Sequence, residues 1–256
     1  MRENAPDKFA IIVMDGMSEF DWHVLRESFA GIAYEQGAAF ATVPTVTSIS
    51  RQCLLSGKMP SQLEKPWSQS KEKAEFAYCC QSLGVGDEQI FYGRDYDVEV
   101  PKGVECAVII VLDVDERVHG QCGGRAGMYQ DMRLLAQSGK LAELVRRLAR
   151  RGFDVFISAD RGNTPAVGQG RVTKTGVETE TRSKRMIVLK DFGDADALLR
   201  ERDLIEFPGS YLDKGCRYFI CQSGESFDNP GASVMSHGGI SINEVIVPFI
   251  TVRAQV

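Results

Sequence analysis

Carboxylates and imidazoles in this chain fall where an α/β sheet commonly does its chemistry. Asp15 directly follows the apolar run Phe9–Met14. Asp113, Asp115 and His119 lie in DVDERVHG, after the run Ala107–Leu112. Asp160 lies in ADRGN, after Asp154–Ser158, and His237 lies in SHGG, shortly before the last apolar run. Ligands of open α/β sheets bind at the carboxyl ends of the strands, so these groups are expected to meet there. Like charges converging on one sheet edge repel unless a cation sits among them. Asp115 and His119 are four residues apart and share a face if the segment turns helically. Together with His237 they would make an open, three-ligand metal site of the catalytic type. Asp113 is the alternative to Asp115, and the four-residue step to His119 favours Asp115. Asp15 and Asp160, with one hydroxyl oxygen, would make a second, all-oxygen site. Two ions roughly 4 Å apart stabilise a phosphoryl group in flight. The remaining histidine, His23, sits in DWHVLRES and is expected to be a helix-surface or core-edge residue.

The hydroxyl is expected from FATVPTVTSISRQCLLSG, in which Thr42, Thr45, Thr47 and Ser48 crowd around Pro44. A short strand, 38–42, precedes it, and a helix is predicted to start near Ser48. A nucleophile there would gain from the unpaired N–H groups of the first turn, which favour an anionic phosphate. Arg51, one turn along, could fork onto phosphate oxygens. Capping of the helix would account for one hydroxyl, not for all of them.

The elements that must position these groups are legible as alternation. Apolar runs at Phe9–Met14, Ala107–Leu112, Asp154–Ser158, Met186–Leu189, Tyr218–Cys221 and Val245–Val252 are rich in Val, Ile and Phe and too short for buried helices. Helical patterns are predicted over 21–36, over 128–151 with Gly152 as its stop, and over 194–203. Strands alternating with helices predict a mostly parallel sheet covered on both faces. The polar segment 56–73 is expected to be a surface excursion, and 162–181 a flexible loop or hairpin near the sheet edge. One domain, residues 1–256, is expected.

The chain has 256 residues, 43% hydrophobic and 25% charged, enough for a core without disulfide or metal staples. Its net charge of −5 does not indicate a nucleic-acid surface. No apolar run reaches the length of a membrane span, and no signal peptide is expected. The seven cysteines include no CxxC pair, which fits free thiols in a reducing cytoplasm.

The segments IIVMDGMSEFDW, VPTVTSISRQCLLSGKMP, VLDVDERVHG, FISADRGNT and SHGGISINEVIVP, in that order, resemble the PglZ domain of the alkaline phosphatase superfamily. The resemblance spans residues 9 to 250. It implies a three-layer α/β/α sandwich, two divalent metal ions, usually zinc, and a threonine or serine nucleophile. By the P-T-x-T pattern the nucleophile is Thr47, with Thr45 as the fallback. One ion would be held by Asp15, Thr47 and Asp160, and the other, Zn²⁺, by Asp115, His119 and His237. The implied reaction is hydrolysis of phosphate mono- or diesters, with nucleotides among the substrates considered, and the domain is expected as a whole protein or as one module of a longer one. The superfamily usually reads Asp-His-Gly where this chain has Asp160-Arg161-Gly162. Arginine has no lone pair to donate to a metal. Three outcomes follow. The Asp15/Thr47/Asp160 site keeps an ion on oxygen alone, favouring Mg²⁺ or Mn²⁺ over Zn²⁺. Or the Arg161 guanidinium takes the ion's place. Or the domain binds a phosphorylated ligand or a protein partner without catalysis. A phosphomutase or sulfatase reaction is a further alternative; the sulfatase lacks its C/S-x-P-x-R setting here.

Overall fold

The computed structural model describes residues 7–172, 177–179, 183–190 and 195–254. Thirteen strands are described: β1 Phe9–Met14, β2 Glu35–Phe40, β3 Ile90–Arg94, β4 Cys106–Val111, β5 Asp154–Ser158, β6 Thr164–Gly168, β7 Val177–Thr179, β8 Met186–Lys190, β9 Leu204–Phe207, β10 Cys216–Cys221, β11 Glu225–Ser226, β12 Ser233–Ser236 and β13 Ile246–Val252. The helices are α1 Glu19–Leu25, α2 Thr47–Ser56, α3 Glu72–Ser82, α4 Asp113–Gly120, α5 Gly124–Ser138, α6 Lys140–Ala149, α7 Ala195–Glu201 and α8 Ile242–Val245.

The central sheet runs β2-β13-β5-β1-β4-β3. β5, β1, β4 and β3 are mutually parallel, and β13 lies antiparallel to both β5 and β2. The sequence reason is visible in β4, CAVIIV, where every residue is buried: a strand sandwiched on both faces has no polar side to show. Ile12, Ile109 and Ile157 face one core with Trp22 of α1, Met132 of α5 and Leu148 of α6. Val13, Val108 and Ile110 face the opposite core with Leu55 of α2 and Phe76 of α3. Helices therefore cover both faces, as the alternation predicts, and the three-layer mixed α/β architecture is present.

Two smaller sheets follow the central one. The order β7-β8-β10-β9 is antiparallel and packs Val188, Tyr218 and Ile220 against Ile49 and Cys53 of α2 and against Val46 just before it. α2 is thus held between two sheets, through Leu55 on one side and Ile49 on the other. The third sheet, β11-β6-β12, pairs Ser236 with Thr164. That register carries the residue after β12 back to the end of β5.

Every strand predicted above forms, with small shifts at its ends. The helices differ more. The pattern 128–151 is two helices, α5 and α6, because Gly139 adopts φ 67° and breaks the ladder between them. The pattern 21–36 yields only α1 and a short 3₁₀ turn, Arg26–Phe29. Gly31, at φ 79°, then reverses the chain, and Glu35–Phe40 pairs as β2 with β13. The helix predicted over 194–203 forms as Ala195–Glu201. Segment 56–73 is more than an excursion: Trp67 stacks on Tyr218 with ring centroids 6.2 Å apart. In segment 162–181, β6 is a sheet strand, while 173–176 and 180–181 lie outside the described residues. Among the described residues no helix is long and apolar enough to cross a membrane. All seven cysteines are free thiols.

Candidate active site

Because β5, β1 and β4 are neighbours, the residues that follow them emerge side by side at the carboxyl edge of the sheet. Asp160, Asp15 and the first turn of α4 are brought together in that way. α4 places Asp115 and His119 one turn apart on the face turned to the site. The β12–β6 pairing brings in His237 from the third sheet.

Asp115, His119 and His237 converge. One donor atom from each lies within 4.8 Å of the others. His119 Nε2 is 3.4 Å and His237 Nε2 3.8 Å from Asp115 Oδ1. His237 Nδ1 lies 2.9 Å from the carbonyl oxygen of Thr45. A carbonyl only accepts, so Nδ1 carries the proton and Nε2 keeps its lone pair. That Nε2 is buried and has no hydrogen-bond partner among the described residues. Burial, and then the charge of Arg161, hold the His237 imidazole well below its usual pKa, so it is neutral. A buried, neutral, unpartnered ring nitrogen beside a carboxylate and a second imidazole fits a divalent metal ion. Burial opposes ionisation of Asp115, but the His119 contact and the Arg161 guanidinium outweigh it and hold the carboxyl well below the usual range.

The other group of acids is organised differently. The fully buried Arg161 guanidinium donates from Nη1 to Asp15 Oδ1 at 2.8 Å and from Nη2 to Asp115 Oδ1 at 2.5 Å. Its Nη1 is also 3.5 Å from Asp160 Oδ1. Asp160 accepts from the Gly16 backbone N–H at 3.1 Å and from Ser50 Oγ at 3.4 Å. Gly16, at φ 76°, makes the close approach possible: a Cβ there would stand 2.8 Å from Arg161 Nη1. Burial opposes the charge on Arg161, yet Asp160, Asp15 and Asp115 together raise its pKa. Burial and the Asp160 carboxylate push Asp15 up to about 8, against Arg161 and Arg51.

Arg51 lines the same cavity, and its buried guanidinium is engaged with carboxylates: Nη1 pairs with Asp15 Oδ2, and Nε donates to Glu72 Oε2 at 2.7 Å. Tyr92 donates its hydroxyl to the other Glu72 oxygen.

The two threonines of the P-T-x-T segment occupy different situations. Thr45 is fully buried; its hydroxyl donates to Gly239 O at 2.9 Å and accepts from Gly238 N at 3.0 Å. Thr47 opens α2, is half-buried, and its hydroxyl makes no hydrogen bond among the described residues. Asp15, Thr47, Asp115, His119 and His237 share one cavity of about 460 Å³, with Trp67, Gln69 and Arg94 on its walls. Asp113 is turned away to Arg117, 3.2 Å distant, and His23 is exposed on α1.

Sequence reasoning passed over Glu72, which pairs with Arg51 from 21 residues away. It also passed over Asn163, whose Nδ2 donates to Gly16 O at 2.8 Å and fixes the turn after β1. Asn163 follows the strand-end Asp160 closely enough to have been noticed; nothing local marks Glu72.

Acids and imidazoles gathered at the carboxyl edge of a sheet covered on both faces define a three-layer α/β protein with a strand-end site. The chain belongs to the PglZ family: the BREX system PglZ alkaline phosphatase-like domain matches residues 1–252. No curated protein matches it by sequence. Among solved structures, human ectonucleotide pyrophosphatase/phosphodiesterase 5 superposes with a TM-score of 0.63 at 12% identity, covering 95% of this chain and 87% of that one. Phosphonoacetate hydrolase from Sinorhizobium meliloti 1021, in complex with phosphonoformate, gives 0.58 at 11% identity, covering 97% and 90%. An inactive threonine-to-alanine form of the murine phosphodiesterase 5, in complex with AMP, gives 0.56 at 13%, covering 96% and 87%. At these identities the likeness is one of fold.

Proposed function

We propose that this chain is a metal-dependent phosphoric ester hydrolase with Thr47 as its nucleophile. The observation that carries the proposal is the buried lone pair of His237 Nε2, beside Asp115 and His119 in the cavity that Thr47 also lines. Asp115, His119 and His237 would hold one divalent ion, and two nitrogens with one oxygen suit Zn²⁺. A bound ion there supplies Lewis-acid stabilisation of phosphoryl charge.

Thr47 Oγ1, unengaged and at the start of the ten-residue helix α2, attacks phosphorus in line. The P–O bond to Thr47 forms as its hydroxyl proton passes to solvent and the ester oxygen leaves with the electron pair of its P–O bond. Water then attacks phosphorus, the Thr47 O–P bond breaks, and Oγ1 regains a proton as phosphate departs. The unpaired N–H groups of the first turn of α2 hold non-bridging oxygens. Arg161 provides a fixed positive charge against the acids, and Arg51 holds Asp15 in place from behind. Thr45 acts as a positioning residue for the His237 loop.

The cavity suits a phosphate mono- or diester. The nucleotide version of this proposal is supported by an AMP complex of a structural relative and by Trp67 on the cavity wall, whose ring could face a base. Of the two ions implied by the resemblance, the one assigned to Asp15, Thr47 and Asp160 does not fit, because the guanidinium of Arg161 already engages those acids.

The test is turnover of p-nitrophenyl phosphate and bis-p-nitrophenyl phosphate with Zn²⁺, Mn²⁺ and Mg²⁺, before and after chelation. Metal-dependent turnover that Thr47→Ala abolishes is the expected result. A wild-type rate no higher than that of Thr47→Ala removes the enzyme. It leaves the second reading, a domain that binds a phosphorylated ligand or protein partner, which the presence of Arg161 among the acids favours.

A further inference from the structure

We infer that this chain binds a single divalent ion per site and that the Arg161 guanidinium stands permanently where a second ion would sit. The inference rests on the hydrolase proposed above and specifies its metal requirement.

Three observations carry it. The first is geometric. Arg161 is fully buried and reaches three carboxylates from three strand ends: Asp15 at 2.8 Å, Asp115 at 2.5 Å and Asp160 at 3.5 Å. Asp15 and Asp160 supply the oxygens an all-oxygen site would need, and Asp115 links the guanidinium to the neighbouring His119 and His237. A guanidinium has no lone pair and cannot ligate, so it competes with an ion for those oxygens.

The second is steric. Gly16 adopts φ 76°, and a Cβ on it would stand 2.8 Å from Arg161 Nη1. The turn after β1 therefore leaves a side-chain-sized space, and the guanidinium fills it. Asp160 is meanwhile fastened to the Gly16 N–H at 3.1 Å and to Ser50 Oγ at 3.4 Å. The acids are already held in place without an ion.

The third is charge. Within the buried network, Asp15, Glu72, Asp115 and Asp160 face Arg51 and Arg161. Asp15 is thus engaged by both guanidiniums and Asp160 is approached by one, next to the place an ion would take at Asp115, His119 and His237. A second ion at Asp15 and Asp160 would stand against the Arg161 guanidinium, like charge beside like charge.

The consequence is a metal preference. The surviving ligand set offers two imidazole nitrogens and one carboxylate, which suit Zn²⁺, and there is no all-oxygen set left for Mg²⁺. The experiment is metal titration of chelator-stripped protein by isothermal calorimetry, with bound ion counted by native mass spectrometry. Wild type is expected to take one Zn²⁺ per chain and no Mg²⁺ at comparable concentration. His237→Ala should lose that ion. Arg161→His, which exchanges the guanidinium for a nitrogen donor, should take two Zn²⁺ per chain.

Two ions in wild type would overturn the inference and leave the hydrolase standing. No ion in wild type would overturn both. A folded Arg161→His protein that still takes one ion would overturn the assignment of Arg161 to a displaced metal position. If Arg161→His does not fold, the wild-type count alone decides.

Discussion

The carbonyl oxygen of Thr45 sits 2.9 Å from Nδ1 of His237, 192 residues away in the chain. That contact sets which ring nitrogen keeps its lone pair, and the Thr45 hydroxyl ties down the glycines that follow His237. Gly238, at φ 108°, takes a conformation that other residues rarely adopt, so the loop depends on these bonds. Thr45→Val would leave the Gly238 N–H and the Gly239 carbonyl unpaired, at about 1–3 kcal/mol for each buried group. Metal affinity should fall roughly 10–100-fold, the usual effect of removing a group that orients a ligand. Thr45→Ser should recover most of it. Calorimetric titration with Zn²⁺ provides the measurement, and equal affinity in wild type and Thr45→Val would rule out this positioning role.

Thr47 should behave in the opposite way. Its hydroxyl has no partner among the described residues, so Thr47→Ala is expected to change unfolding free energy by no more than about 0.5 kcal/mol. Turnover of a phosphate ester should drop by on the order of 10³-fold or more, as expected for loss of a nucleophile. Thermal melts and steady-state kinetics on the same preparation separate the two effects.

Arg51 is expected to be a stability residue first. Removing it would strand Asp15 and Glu72, both buried, without their shared cation. Arg51→Met should cost about 3–5 kcal/mol, the range for breaking one side of a buried ion pair. Urea denaturation of Arg51→Met and of the double variant Arg51→Met with Glu72→Gln gives the check. The double variant should be the milder of the two.

Gly16→Ala tests the room left for Arg161. The left-handed backbone alone costs roughly 1–2 kcal/mol for a residue with a Cβ. The methyl would also stand 2.8 Å from Arg161 Nη1 and must displace the guanidinium. Stability should fall by more than the backbone cost, whereas Gly31→Ala, which has the same handedness and nothing within 4 Å, should show the backbone cost only.

Asp21 confers a pH dependence on folding away from the metal ligands. Burial pushes its carboxyl up to about 6, against hydrogen bonds from Ser18 and Asn163. Its Oδ1 is buried without a partner. A raised carboxyl pKa favours the folded state while the proton is held. The contribution is present below about pH 4, the value in an unfolded chain, and is lost as pH rises through about 6. Wild-type stability measured relative to Asp21→Asn should therefore decline by roughly 2–3 kcal/mol over that window and level off above it. A difference that stays flat between pH 4 and 6 would contradict this.

Much of the fold is written locally. β1 and β4 are recognisable from their own residues because a doubly covered strand is apolar throughout, and Asp15 marks where the first run ends. Asp115 and His119 announce a shared face by spacing alone. Less of the helical boundary structure is legible. Gly139 reads as one tolerable glycine in a long periodic stretch, and only the left-handed turn it adopts shows two helices. Glu35 and Gln36 read as the end of a helix ahead of a strand over 38–42, and pairing with β13 makes them the start of that strand.

The candidate site divides along the same line. The residue types, their places after strands, and the substitution of arginine beside Asp160 are properties of the sequence by itself. What only the tertiary structure decided is which groups touch: Arg161 among Asp15, Asp115 and Asp160, Arg51 against Glu72, and Thr45 rather than Thr47 committed to the His237 loop. Periodicity and turn chemistry act over a few residues, so they print themselves on short stretches of chain. The meeting of three acids around one guanidinium depends on strand order and on a second sheet clamping α2, and contacts that span a hundred residues leave no local trace.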